Sequence, residues 1–280
     1  MTRALKQVIA EHTPLVVPSI HDGMSALLVR ELGFQAAYIG SYATGAAKYG
    51  VPDIGYIGLE DMADQVRRLA PVVGVPIIVD GEGGWGNPVH VARAVRVLER
   101  AGAAATHIED HVFGKHMTMN PQLATTGRTA DKIKAAVDAR DSEDFMIIGR
   151  SDAAYSEGPT AAVDRVLAYQ EAGADGLFVA GLLDPENQAR LRAEARVPVF
   201  TVDFPQHSAA DHAAQGADVV LYFALAHSAA VHSMRAALET LAREGSTVGI
   251  EGQFDGVADF DRFLGIDRAR DEAKSFGLLG

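Results

Sequence analysis

Eight short apolar runs, separated by segments with a helical pattern, constrain the fold of this chain more than any other feature. The intervening segments have helical period and are rich in Ala, Arg, Glu and Leu, as over residues 91–101, 129–139, 160–172 and 185–195. The apolar runs cover residues 15–20, 36–40, 75–79, 105–108, 145–149, 176–180, 198–202 and 219–223. Eight such alternations in 280 residues predict a (β/α)₈ barrel of the TIM type with extra C-terminal helices.

Local signals support this pattern of strands and helices. Gly33, Gly102, Gly173 and Gly216 each follow the last residue of a predicted helix, where glycine commonly ends one. The main alternative is an open, doubly wound sheet. Such a sheet carries a G-x-G-x-x-G turn after its first strand, and residues 18–22 contain nothing of that kind. The barrel is therefore the favoured fold.

Polar side chains stand where the predicted strands end. Active sites of TIM-type barrels lie at the C-terminal ends of the strands, because the loops that follow the strands meet there. We therefore expect the polar strand-end residues to converge on one face of the barrel. These residues are Ser41, Asp80, Glu82, Glu109, Arg150 and Asp203.

Asp80 and Glu82 follow a buried strand directly and open a glycine-rich turn. Residues two apart on an extended backbone point to the same side, so the two carboxylates are expected to lie close together. Two adjacent acids repel unless a proton or a cation lies between them. Oxygen ligands suit Mg²⁺ or Mn²⁺, so the pair is a candidate metal site. The other interpretation is a solvated acidic turn.

Composition excludes several classes of function. The net charge of −12 argues against nucleic acid and anionic membranes as partners. The absence of cysteine excludes disulfides, thiolate nucleophiles and Cys-ligated zinc. No apolar run reaches the roughly 18 residues that span a bilayer, and the first residues do not resemble a signal peptide. We therefore expect a cytoplasmic protein.

The chain shows no linker rich in Pro, Gly or Ser, so residues 1–245 are predicted to form one catalytic barrel domain. From about residue 246 the sequence changes to phenylalanine and glycine among charges, which predicts a C-terminal helical extension over 246–280. A barrel does not need this extension for closure. It therefore either contacts another subunit or docks on its own subunit.

Four segments carry a resemblance to a known family. Residues 80–86 match a D-x-[DE]-x-G-[YFW]-G strand-end motif, and residues 109–115 match E-D-x-x-x-x-K. Residues 50–55 are similar to a gating segment, and Arg150 stands at a strand end as in the same family. Found in this order, the segments resemble the isocitrate lyase/phosphoenolpyruvate mutase superfamily over most of the chain. This family forms tetramers with exchanged C-terminal helices, which implies a homo-oligomer, a tetramer or a dimer.

The resemblance implies a Mg²⁺- or Mn²⁺-dependent enzyme that acts on a small carboxylate. By the family pattern Asp80 holds the metal, and Glu82 and Glu109 support it. The metal binds the substrate carboxylate and a neighbouring oxygen and stabilises an enolate. The remaining implied residues are Asp53, Lys115, His116 and Arg150 for catalysis, and Tyr38, Gly40, Ser41, Tyr42, Asp80 and Arg150 for substrate binding.

One departure from the family pattern bears on the reaction. Lyases of the family that cleave methylisocitrate-like substrates carry K-[KR]-C-G-H, whose cysteine protonates the departing enolate. Met117 stands at that position and cannot donate a proton. His116 is a candidate replacement acid, since imidazole titrates near neutral pH, or a solvated loop residue.

Three functional hypotheses follow from these residues. The leading one is a Mg²⁺-dependent carbon–carbon lyase, a decarboxylase or an aldol-type enzyme, that acts on a small 2-oxo or 2-hydroxy di- or tricarboxylate. The second is a hydrolase or mutase that acts on the P–C bond of phosphonopyruvate-like substrates. The third is a catalytically silent homologue that binds without reacting. Retention of six polar groups, among them Asp53, Asp80 and Arg150, speaks against the third.

Overall fold

The structure is a computed structural model that describes residues 3–112 and 122–278. The chain divides into two compact units, Met1–His227 and Ser228–Gly280. This division lies earlier in the chain than the boundary predicted after residue 245. Among the described residues, no helix combines the length and the apolar character that crossing a membrane requires.

The first unit is built on parallel strands whose hydrogen-bonded order is β1-β8-β7-β6-β5-β4-β3-β2. The strands are β1 (Leu15–Pro18), β2 (Ala37–Ile39), β3 (Ile77–Asp80), β4 (Ala105–Glu109), β5 (Met146–Ser151), β6 (Gly176–Val179), β7 (Val199–Val202) and β8 (Val219–Tyr222). The first and last strands of this order meet beyond β1, where Ser19 pairs with Tyr38 and Ile20 N donates to Tyr38 O at 2.8 Å. The predicted (β/α)₈ barrel is confirmed.

Helix α1 (Leu5–Glu11) precedes the first strand, and the other helices of the first unit connect successive strands. These are α2 (Gly23–Glu31), α3 (Ser41–Tyr49), α4 (Leu59–Val73), α5 (Pro88–Ala101), α6 (Thr126–Ala139), α7 (Pro159–Glu171), α8 (Pro185–Glu194) and α9 (Ala209–Ala214). The long helix α10 (Leu225–Glu244) begins in the first unit and continues into the second. The helical segments predicted from periodicity all form, with bounds shifted by a few residues.

Helix α5 shows how the local sequence sets these bounds. The Asn87 side chain accepts hydrogen bonds from the amides of Val89 and His90, and Pro88 occupies the first turn, where its missing N–H costs nothing. At the other end Gly102 has φ 105°, a left-handed conformation that glycine adopts without steric cost. Residues at its two ends therefore define where this helix begins and ends.

Strand alternation divides the hydrophobic core into two layers. On β3 and β5, Ile78, Met146 and Ile148 belong to a cluster inside the barrel, which α1 extends with its buried apolar face. Ile77 and Ile147 belong instead to the cluster between the strands and the surrounding helices. Because successive side chains point to opposite faces of a strand, apolar runs are required where both faces are buried.

The second unit holds the rest of α10, then α11 (Val257–Phe263) and α12 (Ile266–Ser275). The extra C-terminal helices predicted from the sequence are therefore present. The exchange of residues 246–280 between subunits stays a prediction.

Candidate active site

Asp80 is the last residue of β3, and it is buried beneath the start of α3. Its Oδ2 lies 2.9 Å from Ser41 Oγ and 3.3 Å from Ser41 N. The same Ser41 hydroxyl lies 3.1 Å from Oδ1 of Asp53, in the segment between α3 and α4. One serine at the first turn of a helix thus lies between two acids that come from different parts of the chain. Its hydroxyl proton can be donated to one carboxylate at a time, while its amide donates to Asp80.

The chain turns sharply after Asp80. A side chain at Gly81 would place Cβ 2.5 Å from His107 O, so only glycine lets the turn pass beside β4. Glu82 has φ 48°, and its amide donates to Asp80 Oδ1 at 2.8 Å. The prediction that an extended backbone aligns Asp80 with Glu82 is wrong, because the strand ends at Asp80 and a turn, stabilised by the aspartate itself, follows.

Arg150, on β5, is the central cation of the site. Its guanidinium makes two hydrogen bonds to Asp152, Nε to Oδ2 at 3.0 Å and Nη2 to Oδ1 at 2.8 Å. Nη1 also lies 3.3 Å from Glu109 Oε2. Burial lowers the pKa of Arg150, but the charges of Asp152, Glu109 and Asp80 outweigh this effect and raise it. Arg150 is therefore a fixed, permanently charged fork.

A second buried acid, Asp110, holds the segment that carries Asp152. Its Oδ2 accepts from Ser151 Oγ at 2.6 Å, Tyr169 OH at 3.1 Å and Arg165 Nη1 at 3.3 Å. Its Oδ1 accepts from the amide of Asp152 at 3.0 Å. Burial raises the pKa of Asp110, although the bonds from Ser151 and Asp152 lower it. Asp110 therefore supports Arg150 indirectly, through Asp152.

A cavity of about 710 Å³ opens at the C-terminal ends of the strands. The predicted site residues that line it come from β2, β3 and β5, from helix α3 and from the loops beside them. They are Tyr38, Gly40, Tyr42, Asp53, Asp80 and Arg150. Tyr38 OH lies 3.0 Å from His107 Nε2, which holds the tyrosine ring at the floor of this cavity.

A second cavity of about 610 Å³ lies next to the turn after β3, and Glu82 and Glu109 line it. Trp85 also lines it, where the indole N–H donates to Ile57 O at 3.0 Å. His111 lines both cavities, and Arg150 of the first contacts Glu109 of the second. The three predicted metal ligands are thus divided between two adjoining cavities.

The chemistry of Asp80, Glu82 and Glu109 fits a hard divalent cation, because all three are buried carboxylates. Within residues 3–112 and 122–278, no three Asp, Glu or His side chains converge closely enough to enclose a metal ion on their own. Mg²⁺ usually keeps several waters and takes only one or two carboxylates. The residues present therefore suit Mg²⁺ better than a metal whose ligands must all be protein side chains.

Comparison with known proteins identifies the family. The family model described as phosphoenolpyruvate phosphomutase matches residues 5–242. This chain belongs to the phosphoenolpyruvate phosphomutase family. It is 32% identical to a 2-methylisocitrate lyase of Shewanella oneidensis, over 95% of this chain and 94% of that protein. It is 31% identical to a 2,3-dimethylmalate lyase of Eubacterium barkeri, over 95% of each chain.

Solved structures agree with this assignment. A phosphonopyruvate hydrolase in complex with oxalate and Mg²⁺ superposes with a TM-score of 0.87 at 29% identity, covering 98% of this chain and 99% of that one. The chain is therefore an enzyme of the phosphoenolpyruvate phosphomutase family, and its relatives include enzymes named as lyases and one named as a hydrolase of phosphonopyruvate.

The structure brings together most of the residues that the family resemblance singled out. Asp53, Asp80 and Arg150 line the first cavity, and the buried Ser41 hydroxyl lies within hydrogen-bond distance of both acids. Lys115 and His116, together with Met117, lie outside the described residues, so their roles stay predictions. The finding that Asp80 lines one cavity and Glu82 and Glu109 line the other does not test metal binding. The metal-binding roles of Glu82 and Glu109 therefore also stay predictions.

Sequence reasoning overlooked several residues. Asp203 does not line the first cavity, which Val202 of β7 does, and its expected place among the site residues stays a prediction. Asp110 and Asp152 received no role, although both stand beside a predicted site residue. The sequence signal for Asp152 was its position directly after the strand end that carries Arg150, since β5 ends at Ser151.

The hydroxyl of Ser41 offers a direct test of this geometry. We expect Ser41→Ala to lower kcat/KM about tenfold, because Asp80 and Asp53 lose the group that orients both. Steady-state kinetics would measure this change. The control is Thr44→Val in the same helix, since Thr44 Oγ1 is buried without a hydrogen-bond partner in the described part of the chain. Equal activity losses in both variants would show that α3 packing, not the hydroxyl, matters.

Proposed function

We propose that this enzyme is a Mg²⁺-dependent carbon–carbon lyase that acts on a small 2-oxo or 2-hydroxy acid and releases a pyruvate-like enolate. The observation that carries the proposal is that Asp53, Asp80 and Arg150 line one strand-end cavity, with the Ser41 hydroxyl within hydrogen-bond distance of both acids. The family membership and the two lyases among the relatives support it.

Each residue of this group has a distinct task in such a reaction. The guanidinium of Arg150 binds a carboxylate or enolate oxygen and opposes the negative charge that develops there. Asp152 keeps that guanidinium in one orientation, so little reorganisation is needed during reaction. The Ser41 hydroxyl lies within hydrogen-bond distance of Asp53 and Asp80 and limits the positions of their carboxylates. The floor of the cavity, with Tyr38, limits where the substrate lies.

The residues that would hold Mg²⁺ are Asp80, Glu82 and Glu109, directly or through water. A bound Mg²⁺ supplies Lewis-acid stabilisation of negative charge on substrate oxygens. The Mg²⁺ in the related phosphonopyruvate hydrolase structure supports this cofactor.

The proposal is tested by pyruvate release from oxaloacetate, 2-methylisocitrate, 2,3-dimethylmalate and phosphonopyruvate, each with Mg²⁺ and with EDTA. We expect metal-dependent turnover of at least one carboxylate substrate. Turnover of phosphonopyruvate alone would instead establish P–C chemistry. Binding of oxalate with Mg²⁺ and no turnover of any of the four would exclude these four substrates and leave a different substrate or the catalytically silent homologue.

We further propose that the protein is a cytoplasmic homo-oligomer without a nucleic-acid partner. The net charge of −12 supports the last point. The support for self-association is on α10, where Val231, Met234, Leu238 and Leu241 are 43–62% exposed. Their spacing of three and four residues places them on one helix face, and contiguous exposed apolar surface marks interaction sites.

Leu238→Asp on this face is expected to shift the sedimentation coefficient toward that of a monomer, because a charge would be buried without a partner at the interface. Analytical ultracentrifugation would measure the change. The matched control is His232→Asp, which introduces the same charge on a different, exposed face of α10. An unchanged sedimentation coefficient for Leu238→Asp would show that this face takes no part in assembly.

A further inference from the structure

The first cavity is larger than a small acid requires and is chemically divided. Its volume of about 710 Å³ is in the range, roughly 300–1,000 Å³, of pockets that enclose drug-sized ligands. Strands β2 to β5 and their loops supply the charged side chains described above. Strands β6, β7 and β8 supply only apolar side chains to it, namely Phe178, Ala180, Val202, Leu221 and Phe223.

Strand alternation explains why this apolar wall is continuous. Phe178 and Ala180 are two residues apart along β6 and its end, and Leu221 and Phe223 are two apart along β8, so each pair faces the same side. Val202 of β7 pairs with Leu221 of β8 in the sheet register. The wall therefore spans three neighbouring strands without an interposed polar side chain.

Phe178 marks the boundary between the two halves of the cavity. The Arg150 guanidinium lies over its ring, 5.1 Å from the centroid. At the other limit of the wall, the Phe223 ring contacts Tyr42 edge-on, with centroids 6.2 Å apart. A substrate whose carboxylate reaches Arg150 therefore has the apolar wall directly beside its next atoms.

The charge of the cavity disfavours a further carboxylate at this wall. Among the described lining residues Arg150 is the only permanently charged cation, and Asp152 and Glu109 already contact its guanidinium. Against β6 to β8, a carboxylate would lose water, and none of the described side chains of these three strands that line the cavity is a cation, so its burial there is costly. An apolar group in the same place gains from burial, about three- to fourfold in affinity per methylene.

We infer that the apolar wall on β6, β7 and β8 is a substrate subsite for an uncharged alkyl or aromatic substituent larger than methyl. This inference rests on the proposed function, because it assumes that the charged half of the cavity binds the reacting end. The substrate is then an acid with an apolar side group, and a tricarboxylate is disfavoured.

Oxamate derivatives test this subsite by binding alone. Oxamate resembles oxalate, and substituents on its nitrogen extend away from the carboxylate. Titration calorimetry of the full chain with Mg²⁺ would compare oxalate, oxamate, N-butyloxamate, N-phenyloxamate and N-(2-carboxyethyl)oxamate. We expect N-butyloxamate to bind at least about tenfold more tightly than oxamate, and N-(2-carboxyethyl)oxamate to bind more weakly than N-butyloxamate by a similar factor.

The outcomes separate the subsite from the proposed function. Failure of both oxalate and oxamate to bind would contradict the proposed function itself. Binding of both without any gain from the butyl or phenyl group, or with tighter binding of the carboxyethyl derivative, would overturn the subsite alone.

Two variants test whether the apolar wall causes these differences in affinity. Val202→Lys, at a half-buried position, is expected to reverse the order of the butyl and carboxyethyl derivatives. Phe223→Ala is expected to remove most of the gain from the phenyl group, and it keeps the test available if the lysine prevents folding. An unchanged order in a folded Val202→Lys protein, or an unchanged gain in Phe223→Ala, would overturn the assignment.

Discussion

Asp80→Asn is expected to lower kcat/KM by at least about 10³-fold, the equivalent of several kcal/mol of transition-state stabilisation. The amide keeps the shape of the side chain but loses the negative charge that a divalent cation requires. It also disturbs the bonds to Ser41 N and Oγ and to the amide of Glu82. Steady-state kinetics over a range of Mg²⁺ concentrations would measure the loss.

The matched control for Asp80→Asn is Asp203→Asn. Asp203 also follows the end of a barrel strand, but it does not line the first cavity. We expect its kcat/KM to stay within about twofold of the parent enzyme. Calorimetry with oxalate provides a second readout, since Asp80→Asn should weaken Mg²⁺-dependent oxalate binding. Full activity of Asp80→Asn would exclude the proposed role of this carboxylate.

Asp110→Ala is expected to cost about 3–5 kcal/mol in the free energy of unfolding, because it removes one partner of a buried charged network. Tyr169 and Ser151 lose their acceptor in the interior, and Arg165 loses one of its anions. The amide of Asp152 also loses its partner, so Arg150 should be less well oriented and kcat/KM should fall as well. Urea denaturation and kinetics would measure the two effects.

Two further variants test whether the loss of stability is specific to the hydrogen-bond network of Asp110. Asp110→Asn retains the shape and an acceptor oxygen, so its loss should be smaller, about 1–2 kcal/mol. Asp138→Ala removes an exposed acid from α6 and should change stability by less than about 0.5 kcal/mol. Similar destabilisation by Asp110→Ala and Asp138→Ala would show that the network adds nothing to stability.

The same rule of strand alternation succeeded at one site and failed at another. It failed for Asp80 and Glu82, because the chain leaves the strand at Asp80 and Glu82 takes a left-handed conformation. It holds within β3 and β5, where Ile77 and Ile147 belong to the outer core cluster and Ile78 and Ile148 to the cluster inside the barrel. Alternation therefore predicts which side chains share a face only where the backbone stays extended.

Local sequence patterns alone were sufficient to predict the barrel fold. Strand runs such as 145–149 and helix-ending glycines such as Gly102 depend on neighbouring residues only, so the sequence alone is enough to interpret them. The motif at residues 80–86 and the strand-end Arg150 likewise identified the family and the face of the site. These features depend on spacing along the chain, which the sequence states directly.

Tertiary structure alone decided which side chains meet. Ser41 bridges Asp80 and Asp53, which are 39 and 12 positions away in the chain. The Asp110 carboxylate accepts hydrogen bonds from Arg165 and Tyr169 of α7. Apolar side chains at the ends of three strands form one wall of the first cavity. Such contacts arise from barrel closure and strand register, which bring distant residues within hydrogen-bond distance, so no local pattern encodes them.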